Sequence, residues 1–252
     1  MDITAYLKRI NYRGPLAPTA ETLRQLQVAH LLSVPFENLS IHSGESIILE
    51  DEALFKKIVV RRRGGFCYEL NGLFAALLRA LGFDVVMLSA GVANEEGEFG
   101  PEFDHMVLLV TLAERWLVDV GFGDSFREPL LLDKRAEQVQ SERAYRIDVA
   151  DDDRLIVMQR ESNGKWGAQY RFSLEPHTYA DYAQMCRYHQ TSPKSPFTQR
   201  RICSRATPEG RVTLSQLQLI TTMGGERHER ELADEREYAE LLRECFGIVL
   251  PG

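Results

Sequence analysis

Residues 61–83 read RRRGGFCYELNGLFAALLRALGF. Leu70, Leu73, Phe74, Leu77, Leu78 and Leu81 recur at the spacing of one face of an α-helix. Gly82 supplies the usual stop, because glycine takes up the left-handed conformation that closes a helix. Counting back, the pattern predicts a helix whose first turn holds Cys67, directly after Gly64-Gly65-Phe66. A packed thiol could sit anywhere along the apolar face. This one stands where the helix dipole is positive, a setting that favours thiolate.

Working outward, TAETLRQLQVAHLLS (19–33) starts at a Thr19 N-cap, and DEALFKKIVV (51–60) is a second amphipathic run capped by Asp51. After Gly82 the character changes. DVVMLSAGV (84–92), HMVLLVTL (105–112) and RWLVDV (115–120) are short and rich in β-branched residues, as strands are. Runs 153–161 and 165–175 flank Asn163-Gly164, a hairpin signal. YADYAQMCRYHQ (179–190) predicts a helix; two or three strands over 198–222 and a charged helix over 231–246 follow. The pattern is α+β in three regions: 1–83 helical, 84–190 β-rich, and 191–252 mixed.

The 252 residues suffice for one large domain or two to three small ones. A formal net charge of −7 argues against a nucleic-acid partner, because phosphate-binding surfaces are basic. No apolar run approaches the roughly 20 residues that span a membrane. MDITAYLKRINYRG (1–14) carries charges where a secretory signal needs an apolar centre. Cys67, Cys186, Cys203 and Cys245 are scattered with no C-x-x-C pair, which suits reduced thiols better than a disulfide framework or a zinc site. A cytoplasmic protein, monomer or homodimer, without membrane partner, is expected.

A nucleophilic thiol needs an imidazole partner and a group that orients it. His105 is the one polar residue in the apolar run 105–110, and Asp119 is a lone carboxylate in WLVDV. If 105–111 and 114–120 form a hairpin centred near Leu112, then 105 lies opposite 119. Any odd-length loop keeps both on one face, since side chains alternate with period two. Read singly, Cys67 fits a packed thiol, His105 a hydrogen-bonded core histidine and Asp119 a turn cap. Three polar groups in apolar settings weigh jointly against those readings. The histidines at 30, 42, 177, 189 and 228 lack a comparable setting. One Cys, one His and one Asp supply too few ligands for a metal.

RGGFCYELN (63–71), VPFENLS (34–40), DHMVLLV (104–110) and LVDVGFG (117–123), in this order, resemble the arylamine N-acetyltransferase family; SPKSPF (192–197) adds weaker support. The resemblance implies a Cys67–His105–Asp119 triad. It implies a helical bundle, a β-barrel and an α/β lid, distantly like cysteine proteases and transglutaminases. It also implies acetyl-CoA as cosubstrate, no metal, and an arylamine, arylhydrazine or N-hydroxyarylamine as acceptor. The expected reaction is ping-pong transfer through acetyl-cysteine. Phe122 is expected in the acceptor pocket, Phe197 along the pantetheine channel, and Phe36, at a helix end, beside them or in the core. The last third carries no motif that aligns residue by residue, which leaves the CoA nucleotide contacts unassigned.

Two other activities fit the same thiol. An amide synthase closing a polyketide macrolactam would use the same triad on a carrier-bound thioester. A cysteine hydrolase would use it on an amide, although Tyr68 stands where papain-type enzymes have tryptophan. Of the three arginines, Arg61 and Arg62 are expected in solvent. Arg63, beside apolar residues, is expected to pair with Glu37 beneath the Gly64-Gly65 turn, because a buried charge needs a partner.

Overall fold

The computed structural model describes residues 1–141, 143–150, 152–160 and 164–250. The chain begins with helices α1 (Ile3–Arg9) and α2 (Ala20–Ser33), the latter capped by Thr19, whose side chain accepts from the Thr22 amide. Strand β1 (Phe36–Glu37) and short helices α3 (Leu39–His42) and α4 (Asp51–Phe55) follow. Phe36 therefore lies on a strand rather than at a helix end. The regular helix expected over 51–60 stops at Phe55, and a π-helical turn occupies Lys56–Val60. Its N-cap is Glu50, not Asp51, whose carboxylate accepts from the Tyr179 hydroxyl at 2.9 Å.

Helix α5 (Cys67–Ala80) runs as the periodicity predicts, with Cys67 as its first residue and Gly82 beyond it at φ +88°. Every residue from 67 to 78 is buried, so α5 is a central helix with no solvent face. It packs against α1 and α4 and against the first two strands of a barrel. That barrel comprises β2 (Asp84–Val92), β3 (His105–Thr111), β4 (Arg115–Val118), β5 (Leu130–Leu131), β6 (Gln138–Gln140), β7 (Arg143–Val149), β8 (Leu155–Arg160) and β9 (Trp166–His177). The order is β5-β4-β3-β2-β9-β8-β7-β6, and each pairing is antiparallel. Where β5 and β6 fail to pair, the Gln138 side chain accepts from the Leu131 amide at 2.9 Å and donates to its carbonyl at 3.0 Å, imitating a ladder. The barrel is nearly closed. The β8–β9 hairpin forms, and Asn163 of its expected turn lies outside the described residues.

Strand β3 is apolar on both faces because both are covered. Met106, Leu108 and Val110 meet the helical core, whereas Val107 and Leu109 face the barrel interior with Leu117 and Tyr170. The β3–β4 hairpin pairs Thr111 with Arg115 and Leu108 with Val118, so its centre is Ala113 rather than Leu112. Continued along that register, position 105 falls opposite 121. The loop is still odd, so His105 and Asp119 keep the same face, one diagonal step apart.

The chain then forms α6 (Tyr179–Thr191), α7 (Pro196–Gln199), β10 (Ile202–Thr207), β11 (Gly210–Ser215), β12 (Gln218–Met223), β13 (Glu226–Glu231) and α8 (Glu235–Phe246). The two or three strands expected over 198–222 are three, β10, β11 and β12, and a fourth follows them. The extra one, β13, reads ERHERE; it is a fully exposed charged edge with no apolar alternation to reveal it. These strands form a second sheet, β1-β10-β11-β12-β13. Phe36 pairs with Ser204 and Glu37 with Cys203, which ties the N-terminal region to the last. Among the described residues no helix is long and apolar enough to cross a membrane.

One buried ion pair fixes the approach to α5. Arg63 donates from Nε to Glu37 Oε1 at 3.0 Å and from Nη2 to Oε2 at 3.1 Å. Glu37 also accepts from the Gly64 amide at 3.2 Å and the Leu39 amide at 2.7 Å, so both carboxylate oxygens are satisfied. Arg61 and Arg62 are exposed, and Arg61 pairs with Glu45 at the surface. Removing one partner of a buried pair costs about 3–5 kcal/mol, whereas an exposed pair contributes about 0–1 kcal/mol. Denaturant unfolding of Arg63→Ala should show a loss in the first range and Arg61→Ala a loss in the second. Equal losses would mean that the pair does not anchor the turn.

Candidate active site

The first turn of α5 is held from beneath. Glu69 Oε2 accepts from the Phe66 amide at 3.1 Å, while its Oε1 accepts from Lys57 Nζ at 2.7 Å. Lys57 comes from the π-helical turn, and both side chains are buried. Burial raises the Glu69 carboxyl above its ordinary range, against the pull of the Lys57 ammonium. The helix start that carries Cys67 is thereby fastened to the preceding segment.

One turn on, Asn71 projects from the same side of α5 as Cys67. Its Nδ2 donates to Asp119 Oδ1 at 2.9 Å and to the Met106 carbonyl at 2.7 Å, and its Oδ1 accepts from the Val120 amide at 2.9 Å. Asp119 Oδ1 also accepts from the Gly121 amide at 2.8 Å. The other oxygen, Oδ2, meets His105 Nε2 at 2.7 Å. A carboxylate 3% exposed would be costly if unpaired; this one has a partner on each oxygen. Asp119 takes the Nε2 edge of His105, leaving the Nδ1 edge for a proton.

Cys67 is brought to the same place. Its sulfur accepts from the Met106 amide, one residue beyond His105, and it lies within the fields of Asp104 and Asp119. A Cβ at Gly121 would stand 2.7 Å from the Cys67 Cα, so glycine there is dictated by close approach. Gly123, by contrast, is needed for its φ of +97°. Burial pushes the Cys67 thiol well above its ordinary range; the Met106 amide pulls it down, and the two carboxylates add to the rise. The helix-dipole expectation of a lowered thiol is thus overridden. Desolvation of a group 3% exposed outweighs a partial charge at a helix end.

The aromatic residues fall in two sets. Phe122, half-buried, packs edge-on against His105 with ring centroids 5.3 Å apart, and against Tyr170 at 5.3 Å. Phe36 and Phe197 face each other at 6.1 Å, and Phe197 also packs on Phe66 at 5.6 Å. Phe36, Val120, Gly123, Ser204, Arg205 and Arg211 line a cleft beside the 120–123 turn. Neither this cleft nor a larger pocket on the barrel, lined by Glu102, Arg154 and Arg171 among others, is lined by Cys67, His105 or Asp119.

Some residues that shape the site escaped the sequence reading. Asn71 was in view in CYELN, four residues after Cys67, the spacing that shares a helix face. Nothing in 166–177 singles out Tyr170, whose buried phenol is raised by burial and by Asp119 and so stays a neutral neighbour of the carboxylate. Among the histidines set aside, His30 is a core residue; its Nδ1 meets the Tyr6 hydroxyl at 2.9 Å, and burial lowers its pKa to about 3. His189 does have a comparable setting: it is 2% exposed, between Ser195 and Asp104. Only the fold brings 104 and 189 together.

The N-acetyltransferase family model matches residues 19–252. Arylamine N-acetyltransferase 2 of Mus musculus is 34% identical, with 99% of this chain and 95% of that protein covered. Proansamycin X synthase of Amycolatopsis mediterranei is 31% identical, covering 96% of this chain and 95% of its own. The solved structure of Mycobacterium marinum arylamine N-acetyltransferase in complex with CoA matches with a TM-score of 0.91 at 34% identity, covering 98% of this chain and 93% of that one. A match of this extent in sequence and fold means that the chain belongs to the arylamine N-acetyltransferase family, acyltransferases that acetylate arylamines.

Proposed function

We propose that this protein takes the acetyl group of acetyl-CoA onto Cys67 and passes it, in a ping-pong cycle, to an arylamine, arylhydrazine or N-hydroxyarylamine. The carrying observation is the 2.7 Å pair of His105 and Asp119, tied through Asn71 to the helix that begins at Cys67. The CoA complex of the M. marinum relative supports the cosubstrate. In this reading residues 1–83 bear the nucleophile, 84–190 the imidazole and carboxylate, and 191–252 the lid.

A thiol raised by burial cannot rely on spontaneous ionisation at neutral pH. Its proton passes to His105 Nδ1, and the Asp119 carboxylate stabilises the resulting imidazolium. The sulfur attacks the thioester carbonyl, and the backbone N–H of Cys67, unpaired within the helix, faces the developing oxyanion. CoA departs with the proton from His105. In the second half the amine attacks acetyl-Cys67, His105 removes its proton, and sulfur leaves. A low thiol pKa would gain little in the first half, because nucleophilicity falls with basicity at a slope of about 0.4–0.5. A strong base partner matters more than a strong acid thiol.

A second reading, macrolactam closure from a carrier-bound thioester, is favoured by the likeness to proansamycin X synthase. Family membership favours acyl transfer over a cysteine hydrolase. Intact mass after mixing with acetyl-CoA and no acceptor separates these. The protein should gain one acetyl group, and Cys67→Ser none; an unmodified wild type would discard the acetyl-CoA reading.

Asp119→Asn removes the charge that supports the imidazolium. Alkylation of Cys67 by iodoacetamide near pH 7 should fall at least about tenfold and recover at alkaline pH, where the thiol ionises without the base. Rates that match wild type from pH 6 to 9 would remove Asp119 from the mechanism.

Phe122, against His105, is assigned to the acceptor pocket, with Phe36 and Phe197 as further walls of the substrate cleft. Ring-on-ring packing contributes roughly 0.5–1.5 kcal/mol beyond area burial, enough to favour aromatic over alkyl amines about 2- to 13-fold. Phe122→Ser should lower kcat/KM for aromatic amines and leave acetylation of Cys67 nearly unchanged, as read by stopped-flow of each half-reaction. A variant slowed chiefly in the acetyl-CoA step would move Phe122 out of the acceptor pocket.

A further inference from the structure

A second histidine–carboxylate pair adjoins the first in the chain, through the neighbours Asp104 and His105. His189, on α6, is 2% exposed. Its Nδ1 meets the Ser195 hydroxyl at 3.1 Å, and its Nε2 stands 3.3 Å from Asp104 Oδ1. The second contact is within ion-pair distance yet out of line for a hydrogen bond. Asp104 immediately precedes His105, the first residue of β3. Ser195 caps α7, whose Phe197 stacks edge-on upon His189 at 5.0 Å. Phe66, the residue before Cys67, meets the same ring at 6.4 Å. One imidazole thus meets the residue before Cys67, the residue before His105, and Phe197. Ser195 Oγ also accepts from the Phe197 amide at 3.2 Å, so its hydroxyl is committed to capping α7, which argues against a second active site.

We propose that His189 is a positioning residue for the acyl transfer: with its Nδ1 edge on Ser195 and its Nε2 edge against Asp104, it fixes the start of β3 that carries His105. The proposal rests on Cys67 and His105 having the roles given above. Asp104 is only partly exposed, and its carboxylate heads the charged groups that oppose ionisation of the Cys67 thiol, ahead of Asp119. The other titratable groups around the thiol are His105 on β3, Tyr68 and Glu69 on its own helix, and Tyr182 and Cys186 on α6. Around His189 they are Asp104, Tyr68 and Tyr188. Among the described residues, Asp104 is a carboxylate beside both groups, and His189 is set against it. The Tyr68 hydroxyl, donating to the Phe103 carbonyl at 2.5 Å, secures the same segment without altering its charge.

The two halves of the pair then have opposite effects on the thiol. Asp104→Asn removes a negative charge and eases thiolate formation; His189→Leu removes the polar Nε2 edge that faces that charge. The test is the pH dependence of Cys67 alkylation by iodoacetamide, on a background corrected with Cys67→Ser. Asp104→Asn should move the rise in rate to lower pH by about 0.5–1 unit, and His189→Leu to higher pH by a similar amount. His189→Gln, which can still bond Ser195, should shift in the same direction as His189→Leu and serves if the leucine variant does not fold. A merely structural pair would lower Tm and rate in every variant without opposed shifts. Shifts of one sign, or none, overturn the proposal. Wild-type protein that is not acetylated on Cys67 by acetyl-CoA would instead overturn the assignment of the nucleophile.

Discussion

The Asp119 carboxylate is where helix, barrel and cleft meet. Asn71 reaches it from α5, the Gly121 amide closes on it from its own turn, and His105 meets it from β3. Through the same side chain Asn71 also binds the Met106 carbonyl and the Val120 amide. A single buried charge therefore aligns the helix that begins with Cys67 and the strand that begins with His105. Solvating that carboxylate with protein donors offsets its burial and leaves one oxygen for the imidazole.

The rest of the architecture keeps that junction from moving. Two buried ion pairs, Arg63–Glu37 and Lys57–Glu69, grip the segment on either side of the Gly64-Gly65 turn. The first locks the turn to β1, and β1 belongs to the sheet of the last third through β10. The second satisfies the amide at the start of α5 with a side chain whose charge is itself paired. Neither pair is an economical source of stability, since desolvating four charges consumes much of the attraction. Their effect is geometric: they hold the backbone turn that leads into Cys67 while every charge stays hydrogen-bonded.

Burial gives the site its chemical character. A thiol 3% exposed resists ionisation, so in the proposed reaction its reactivity comes from a proton acceptor held in place rather than from the helix dipole. This accounts for a neighbourhood in which two carboxylates, two imidazoles and a neutral phenol are all fixed by hydrogen bonds or packing. It also accounts for the glycine at 121, where any side chain would collide with the backbone of Cys67.

Much of this was legible in the residues. The leucine spacing of 70–81 dictates a helix, the closing glycine its end, and their offset places Cys67 in the first turn, because these are local consequences of backbone geometry. Odd loop parity between β3 and β4 was enough to put His105 and Asp119 on one face, although the true centre is one residue later than the pattern suggested. Strands β5, β6 and β13 were not legible: two or three residues, or an unbroken run of charges, carry no alternation to read; β7 was missed although Tyr145 and Ile147 alternate with Arg146 and Asp148. The conversion of 56–60 to a π-helical turn, from which Lys57 reaches Glu69, was not legible either. The pairing of Asp104 with His189 joins positions 85 residues apart. The sequence by itself determined which thiol, which imidazole and which carboxylate stand out, because each is a polar group in an apolar run. Only the tertiary structure decided how deeply the thiol is buried, which nitrogen of His105 meets Asp119 and what lies behind Asp104, because desolvation and long-range contact depend on everything packed around them.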